Sequence, residues 1–513
     1  MKTCFSRIVA EDRTARHLLA ANIDLEINRL RISDKQTLMR ILSNRLSMHV
    51  ERGNFVNRTG FSGRREFLLQ SAAALGSWAV PQSLRRLLAA PVRSTVAGGL
   101  RPAPDETTGL PLLMLPEGFR YLSFGWTGDR MDDGVVTPDQ HDGMGIIADE
   151  GGVLTICRNH ECKLNGEAFG KSIAAYDPKA TAGCSNLTFD SVNGQWVKTW
   201  SSLSGTLKNC AGGPTPWGTW LSCEETVLQD GDDDDGVVMH LDRPHGYVFE
   251  VSADGSIAPE PLKSMGRFVH EAVAVNPMTG IVYQTEDRKP AGFYRFVALE
   301  KGQLSMGGML QMMKVEGGSD PSLNAETGRA YDVSWVTIED PDRAHSPGTK
   351  DEGGVYEQGR AQGGSAFQKL EGCWWGNDRC YFVASHGGRK QKGQIWAYTP
   401  RSETLELIFE SPSSDVLDCP DNLCVSPRGG LVLCEDGDRV PQKLQTLTRA
   451  GHLTEFAAMN VQLNGERNGL KGDFRDSEWA GATFSPDGKW LFVNNQAPGI
   501  TFAITGDWQM LGI

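Results

Sequence analysis

From about residue 140 onward, short runs of apolar, aromatic and β-branched residues alternate with turns rich in Pro, Gly and Asp. The clearest copies are Pro216-Trp217-Gly218 leading into Thr219-Trp220-Leu221-Ser222-Cys223, Asn276-Pro277-Met278-Thr279-Gly280 into Ile281-Val282-Tyr283-Gln284, Ser426-Pro427-Arg428-Gly429-Gly430 into Leu431-Val432-Leu433-Cys434, and Ser485-Pro486-Asp487-Gly488-Lys489 into Trp490-Leu491-Phe492-Val493. Two looser copies run from Gly151-Gly152 into Val153-Leu154-Thr155-Ile156 and from Asn377-Asp378-Arg379 into Cys380-Tyr381-Phe382-Val383. A strand, a tight turn and a second strand read in this way. The turn glycines fall at 151, 218, 280, 376, 429 and 488, intervals that suit one four-stranded blade each; the long step from 280 to 376 assigns an insertion to about residues 297–366. Six such units can each bury one face and protect their edges when arranged radially. The predicted fold class is therefore all-β, a six-bladed β-propeller over residues 98–513. The Met-rich stretch 306–313 is expected to pack or to form a flexible loop rather than to bind a soft metal.

In an antiparallel hairpin the start of the first strand lies beside the end of the second. If the first strand of each blade lines a central channel, twelve segments converge on one channel mouth. The starts carry Asp142, Cys210, Glu271, Glu371, Asp421 with Asn422, and Glu478. The ends carry His160-Glu161, Glu224-Glu225, Glu286-Asp287-Arg288, Ser385-His386, Glu435-Asp436 and Asn494-Asn495-Gln496. Nearly every segment places an acid, amide or imidazole directly after apolar residues, whereas the turns at the opposite end hold Pro, Gly and scattered polar residues. So many carboxylates around one axis repel one another unless cations neutralise them, and oxygen ligands of this kind suit Ca²⁺. Cys210 stands in the same ring, and a thiolate among carboxylates fits a transition metal such as iron better than calcium. The expected centre is a mixed metal cluster.

Charge changes the picture at the N-terminus. Residues 1–97 hold 16 Lys and Arg against 7 Asp and Glu, a balance of +9, so residues 98–513 carry −22 of the total −13. A body this acidic repels nucleic acid and anionic membranes. Gly63-Arg64-Arg65-Glu66-Phe67-Leu68-Leu69 and the apolar run from Ser71 to Val80 resemble a twin-arginine signal. Residues 1–97 are therefore assigned to an N-terminal extension with this signal, which implies the twin-arginine export machinery as a partner and a periplasmic or secreted destination. No other apolar run has the eighteen or so residues of a membrane span, so no transmembrane helix is expected in the mature chain. The spacings of Cys157/Cys162, Cys373/Cys380 and Cys419/Cys424 do not form a zinc pattern. The run from Asp232 to Asp235 lacks the alternate acids and closing Glu of an EF-hand and reads as a solvated loop.

With these segments in view, the chain resembles the PhoX-type alkaline phosphatases. The matching stretches are Arg158-Asn159-His160-Glu161, Asn209-Cys210-Ala211-Gly212-Gly213 with Thr215-Pro216-Trp217-Gly218-Thr219-Trp220, Gly266-Arg267-Phe268-Val269-His270-Glu271, Thr285-Glu286-Asp287-Arg288 and Phe484-Ser485-Pro486-Asp487-Gly488. The resemblance implies a propeller whose channel mouth holds ferric iron (Fe³⁺) and calcium (Ca²⁺) bridged by an oxo group and hydrolyses small phosphate esters. It implies that Cys210 is the iron-bound thiolate and that Glu271, Glu371, Glu161, Glu224, Glu225 and Asp421 are metal ligands. Arg288 or Lys369 would hold phosphoryl oxygens; Lys369 stands where the resemblance leads one to expect an Arg, and Lys offers a point charge rather than a bidentate fork. Two rival readings remain at this stage. One is a calcium-dependent propeller lactonase using Glu271, Asn422 and Asn494, and the other is a non-catalytic, calcium-stabilised binding propeller.

Overall fold

The computed structural model describes residues 92–96, 98–163, 165–170 and 173–513. The twin-arginine segment lies outside the described residues. Among the described residues nearly all regular structure is β, with two short α-helices at Pro321–Asn324 and Gly354–Ala361. Among the described residues no helix is long and apolar enough to cross a membrane.

Six antiparallel sheets follow one another along the chain. The first holds His141–Glu150, Val153–His160, Ala182–Asp190 and Gln195–Thr206. The second holds Asn209–Pro214, Thr219–Glu224 and Val248–Ser252. The third runs from His270–Val275 through Val282–Glu286 and Phe293–Ala298 to Gly308–Val315, and the fourth from Leu370–Gly376 through Arg379–Ala384 and Gln394–Thr399 to Thr404–Glu410. The fifth begins with Pro420–Val425, Leu431–Glu435, Lys443–Leu447 and His452–Met459. The sixth comprises Trp479–Phe484, Trp490–Asn495 and Ile500–Thr505, and its fourth strand is the early segment Arg120–Phe124. That pairing fastens an early and a late segment of the propeller into one sheet, which closes the ring and leaves only the outer strands of the blades as edges.

The first strands of consecutive sheets pack against one another in a closed circle, from the first sheet round to the sixth and back. Between each neighbouring pair of sheets lies a separate apolar core. Leu221, Val273 and Tyr294 fill the second–third interface, Phe293, Phe382 and Trp396 the third–fourth, and Phe189, Trp490 and Phe492 the first–sixth. This is why the sequence reads as repeated short apolar strands: each strand buries side chains on both faces of its blade. Within the 297–366 stretch, Ala330–Thr337 pairs with Gly308–Val315 on one side and Thr404–Glu410 on the other, joining the third and fourth sheets along their outer edges. The Met-rich segment forms a strand there, and Met312 and Met313 are buried in the two flanking cores.

Candidate metal centre

A β-bulge interrupts the pairing of the first and second strands in every sheet, near the same end. In the third sheet His270 faces Glu286 and Val273 faces Gln284, so Glu271 and Ala272 together oppose the single residue Thr285. The residues at this position are Asp142, Cys210, Glu271, Glu371 and Asp421, with Gly481 in the sixth sheet. Such a bulge re-aims a side chain out of the ladder. In all but the fifth sheet, where it is Asn422, the next residue is Gly or Ala, because neighbouring first strands approach closely: a Cβ on Gly143 would lie 2.5 Å from the Ala211 Cα. Gly481 adopts φ 62°, and a Cβ there would meet the Asp142 carbonyl oxygen at 2.5 Å, so the sixth sheet has no acid at this position.

A second ring comes from the residues just after the second strands. Each donates its N–H to the carbonyl of the residue that precedes the first strand: Glu161 to Gln140, Glu225 to Lys208, Asp287 to Val269, Ser385 to Lys369, Asp436 to Cys419 and Gln496 to Glu478, at 2.8–3.3 Å. Because side chains alternate along a strand, these six face the opposite way from the residue before them. The two rings with Glu478 bring nine carboxylates to one mouth: Asp142, Glu161, Glu225, Glu271, Asp287, Glu371, Asp421, Asp436 and Glu478. Against them stand Lys163, with Nζ 3.0 Å from Glu161, and Lys369, with Nζ 3.2 Å from Asp287 and 2.5 Å from Glu371.

Glu271 is the hub. Its oxygens come within 4.8 Å of those of Glu225 and Asp287 in one group and of Glu371 and Asp421 in another, so two groups that could hold cations share it. Cys210 donates to its Oε2 at 3.1 Å, while its buried Oε1 has no hydrogen-bond partner. A buried, unpartnered carboxylate oxygen is costly and fits the part of a cation ligand. Burial, then the charges of Asp421, Glu371 and Glu225, hold the Glu271 carboxyl well above the usual carboxylate range. Burial and neighbouring acids act likewise on Glu225, Asp421 and Glu478, and push Asp142 and Glu371 each up to about 7. Burial followed by Asp142 and Glu271 raises the Cys210 thiol. Burial opposes the Lys369 ammonium, yet Glu371, Asp287 and Asp421 hold its pKa well above the ordinary value.

Of the residues singled out in the sequence, Cys210, Glu271, Glu371, Glu161, Glu225, Asp421 and Lys369 are brought to the mouth. Glu224 is not. Its Oε1 accepts from Leu207 N–H at 2.9 Å and meets His245 Nδ1 at 2.6 Å, and its Oε2 accepts from Gly246 and Tyr247 N–H at 2.8 and 3.1 Å. Burial opposes charge on His245, but Glu224 and Asp177 on either side outweigh it and raise the imidazole to about 9. Alternation explains the correction, since Glu224 and Glu225 project to opposite sides. Glu224→Gln is expected to cost about 3 kcal/mol by leaving a buried imidazolium half-paired; denaturant unfolding should register the loss while metal content stays that of the wild type. Arg288 is likewise turned away, 3.8 Å from Glu286 and over the Tyr356 ring. Asn494 is committed to the Asp142 carbonyl at 2.6 Å and to Thr501 at 2.7 Å. Asp142, Asp287, Asp436, Glu478, Gln496 and Lys163 were not predicted as site residues; all but Lys163 lay within the segments that the hairpin argument brought to the mouth.

A closed propeller whose mouth gathers buried carboxylates and a thiol has the ligand chemistry of a cation-binding centre. The sequence profile of the family described as alkaline phosphatase PhoX matches residues 98–199 and 165–499, and the chain belongs to that family. Its structure is similar to that of Pseudomonas fluorescens PhoX in complex with vanadate, a transition state analogue, at 17% identity and a TM-score of 0.56, covering 80% of this chain and 98% of that one. It also aligns with XC5397, a gluconolactonase from Xanthomonas campestris, at 11% identity and a TM-score of 0.32, covering 72% of this chain and 99% of that one. No curated protein sequence matches the chain.

Proposed function

We propose that this chain is an exported phosphoric monoester hydrolase whose channel mouth binds iron and calcium. The observation that carries this reading is Glu271, shared between two carboxylate groups, with one oxygen unpartnered and the other facing the Cys210 thiol. Cys210, Glu271, Glu371, Glu225, Asp287 and Asp421 would hold the ions, the thiol favouring iron and the carboxylates calcium. Bound there, the cations supply Lewis-acid stabilisation of charge on a phosphoryl group. Lys369 brings an ammonium to the same place, and Ser385, donating to Glu371 at 2.8 Å, fixes that carboxylate against it. The acidic rings exclude a free dianion until they are neutralised, so substrate binding depends on metal loading. The calcium-lactonase arrangement is not carried forward, because Asn494 is held by the Asp142 carbonyl through its Nδ2 and by Thr501 through its Oδ1. Residues 64–65 and the apolar run after them support twin-arginine export to the periplasm or beyond, a route suited to a protein that takes up its metals before crossing the membrane.

The test is elemental analysis of the purified chain with hydrolysis of an aryl phosphate, on wild type and Cys210→Ser. Wild type is expected to contain iron and calcium and to release phosphate, and the variant to retain calcium and lose iron. Calcium alone in an inactive wild type would sink the reading.

A further inference from the structure

We propose that Lys163 is a second phosphate-binding cation of this mouth, acting from the side of the ring opposite Lys369. The inference rests on the phosphatase reading and deepens it. Lys163 follows the second strand of the first sheet, and Lys369 precedes the first strand of the fourth, so in a ring of six they face one another across the axis. Among the described residues they are the two cations ion-paired to the ring carboxylates, Lys163 with Glu161 and Lys369 with Asp287 and Glu371.

Lys163 is not simply the partner that Glu161 requires. Glu161 is 4% exposed, and its Oε2 already accepts from Gln496 at 2.8 Å. Lys163 by contrast is 52% exposed and reaches in from the rim on a flexible stem. Its charge also acts on Glu225 and Cys210, and it offsets the field on Asp142 and Asp436. An ammonium so placed stays hydrated on one side and can turn from Glu161 toward an anion seated over the mouth. A single ammonium fixes phosphate at one point and leaves its rotation free. Two ammoniums from opposite sides fix its orientation over the metal-binding acids, which is the arrangement an in-line displacement needs.

The test compares loaded wild type, Lys163→Met, Lys163→Arg and, as an exposed control outside the site, Lys179→Met. Metal content, KM and kcat for an aryl phosphate, and the dissociation constant of inorganic phosphate by calorimetry are measured on each. Lys163→Met is expected to keep its metals and to weaken both KM and phosphate binding by about tenfold, the worth of one charge-assisted hydrogen bond. Lys163→Arg should recover most of that loss, and Lys179→Met should match wild type. Unchanged phosphate binding in Lys163→Met, or a loss of metal that accounts for any change, overturns the proposal. Were wild type to hydrolyse no ester, the phosphatase reading would fail by itself, and calorimetry with phosphate would still decide whether Lys163 binds the anion.

Discussion

Replacing Glu271 by Gln is expected to lower phosphate-ester hydrolysis by about 10²–10³-fold while leaving the chain folded. The substitution preserves shape and volume but replaces one carboxylate oxygen by an amide that donates hydrogen bonds. Glu271 belongs to both groups of converging oxygens, so its loss weakens both at once, whereas Asp421 or Glu225 belongs to one. The thiol of Cys210 also loses the carboxylate that accepts from it. A second measurement separates a failed site from a failed fold. In metal-free protein the ring is a set of like charges, and Glu271 is held far from its ordinary ionisation by burial and by Asp421, Glu371 and Glu225. The folded chain must either take up a proton on that buried carboxyl or crowd its charge among the others, and an amide does neither, so metal-free Glu271→Gln should unfold at higher denaturant than metal-free wild type at pH 8. Lower activity together with a more stable apo state is a pattern that general misfolding does not produce. An unchanged metal content and rate would show that Glu271 holds no ion.

The hairpins were legible because their turn chemistry and apolar runs are local. Ser485-Pro486-Asp487-Gly488 and Asn276-Pro277-Met278-Thr279-Gly280 mark reversals without reference to the rest of the chain, and antiparallel geometry then fixes which segments meet. Two features depended on distant partners and gave no local signal. Arg120–Phe124 reads as an isolated run, yet it completes the sixth sheet against Ile500–Thr505, nearly four hundred residues away. Ala330–Thr337 sits in the stretch assigned to an insertion, and its role as a bridge between two blades appears only when both edges are in place.

The same division holds at the site. Hairpin logic delivered the right segments but not the right residue in each, because direction within a segment depends on register, and a bulge resets it. Glu224-Glu225, Glu286-Asp287 and Glu435-Asp436 are pairs of adjacent acids in which the second faces the mouth. The first of each is spent on its own loop: Glu224 on Gly246 and Tyr247, Glu286 on Gly292 and Tyr294, and Glu435 on Asp418 and Gln445. The repeated hydrogen bond from the residue after the second strand to the residue before the first identifies the inward member, and it exists only once the sheets have formed. Lys163 escaped notice because it lies beyond the strand end, where periodicity stops.

Stripping metals should make the protein strongly pH-sensitive, in the direction opposite to that of a chain held together by ordinary ion pairs. A carboxyl raised in the folded state binds its proton more tightly there than in the unfolded chain. Its contribution is therefore complete below about pH 4, the unfolded value, and is lost as pH rises through the folded value. Asp142 and Glu371 are each raised to about 7, and Glu225, Glu271, Asp421 and Glu478 are raised in the same direction, so the window runs from about pH 4 through about 7. His245, raised to about 9, loses its contribution between about pH 6.5 and 9, but it does so with or without metal, so the difference between the two forms isolates the ring. Cations reverse the dependence by favouring the ionised carboxylates, and they bind less well as protons compete. Thermal unfolding with chelator and with added calcium and iron should therefore nearly coincide at pH 5 and separate by about 5–10 °C at pH 8. No separation at pH 8 would mean that the acids are neutralised by something other than the ions, and the mouth would then be a structural plug rather than a metal centre.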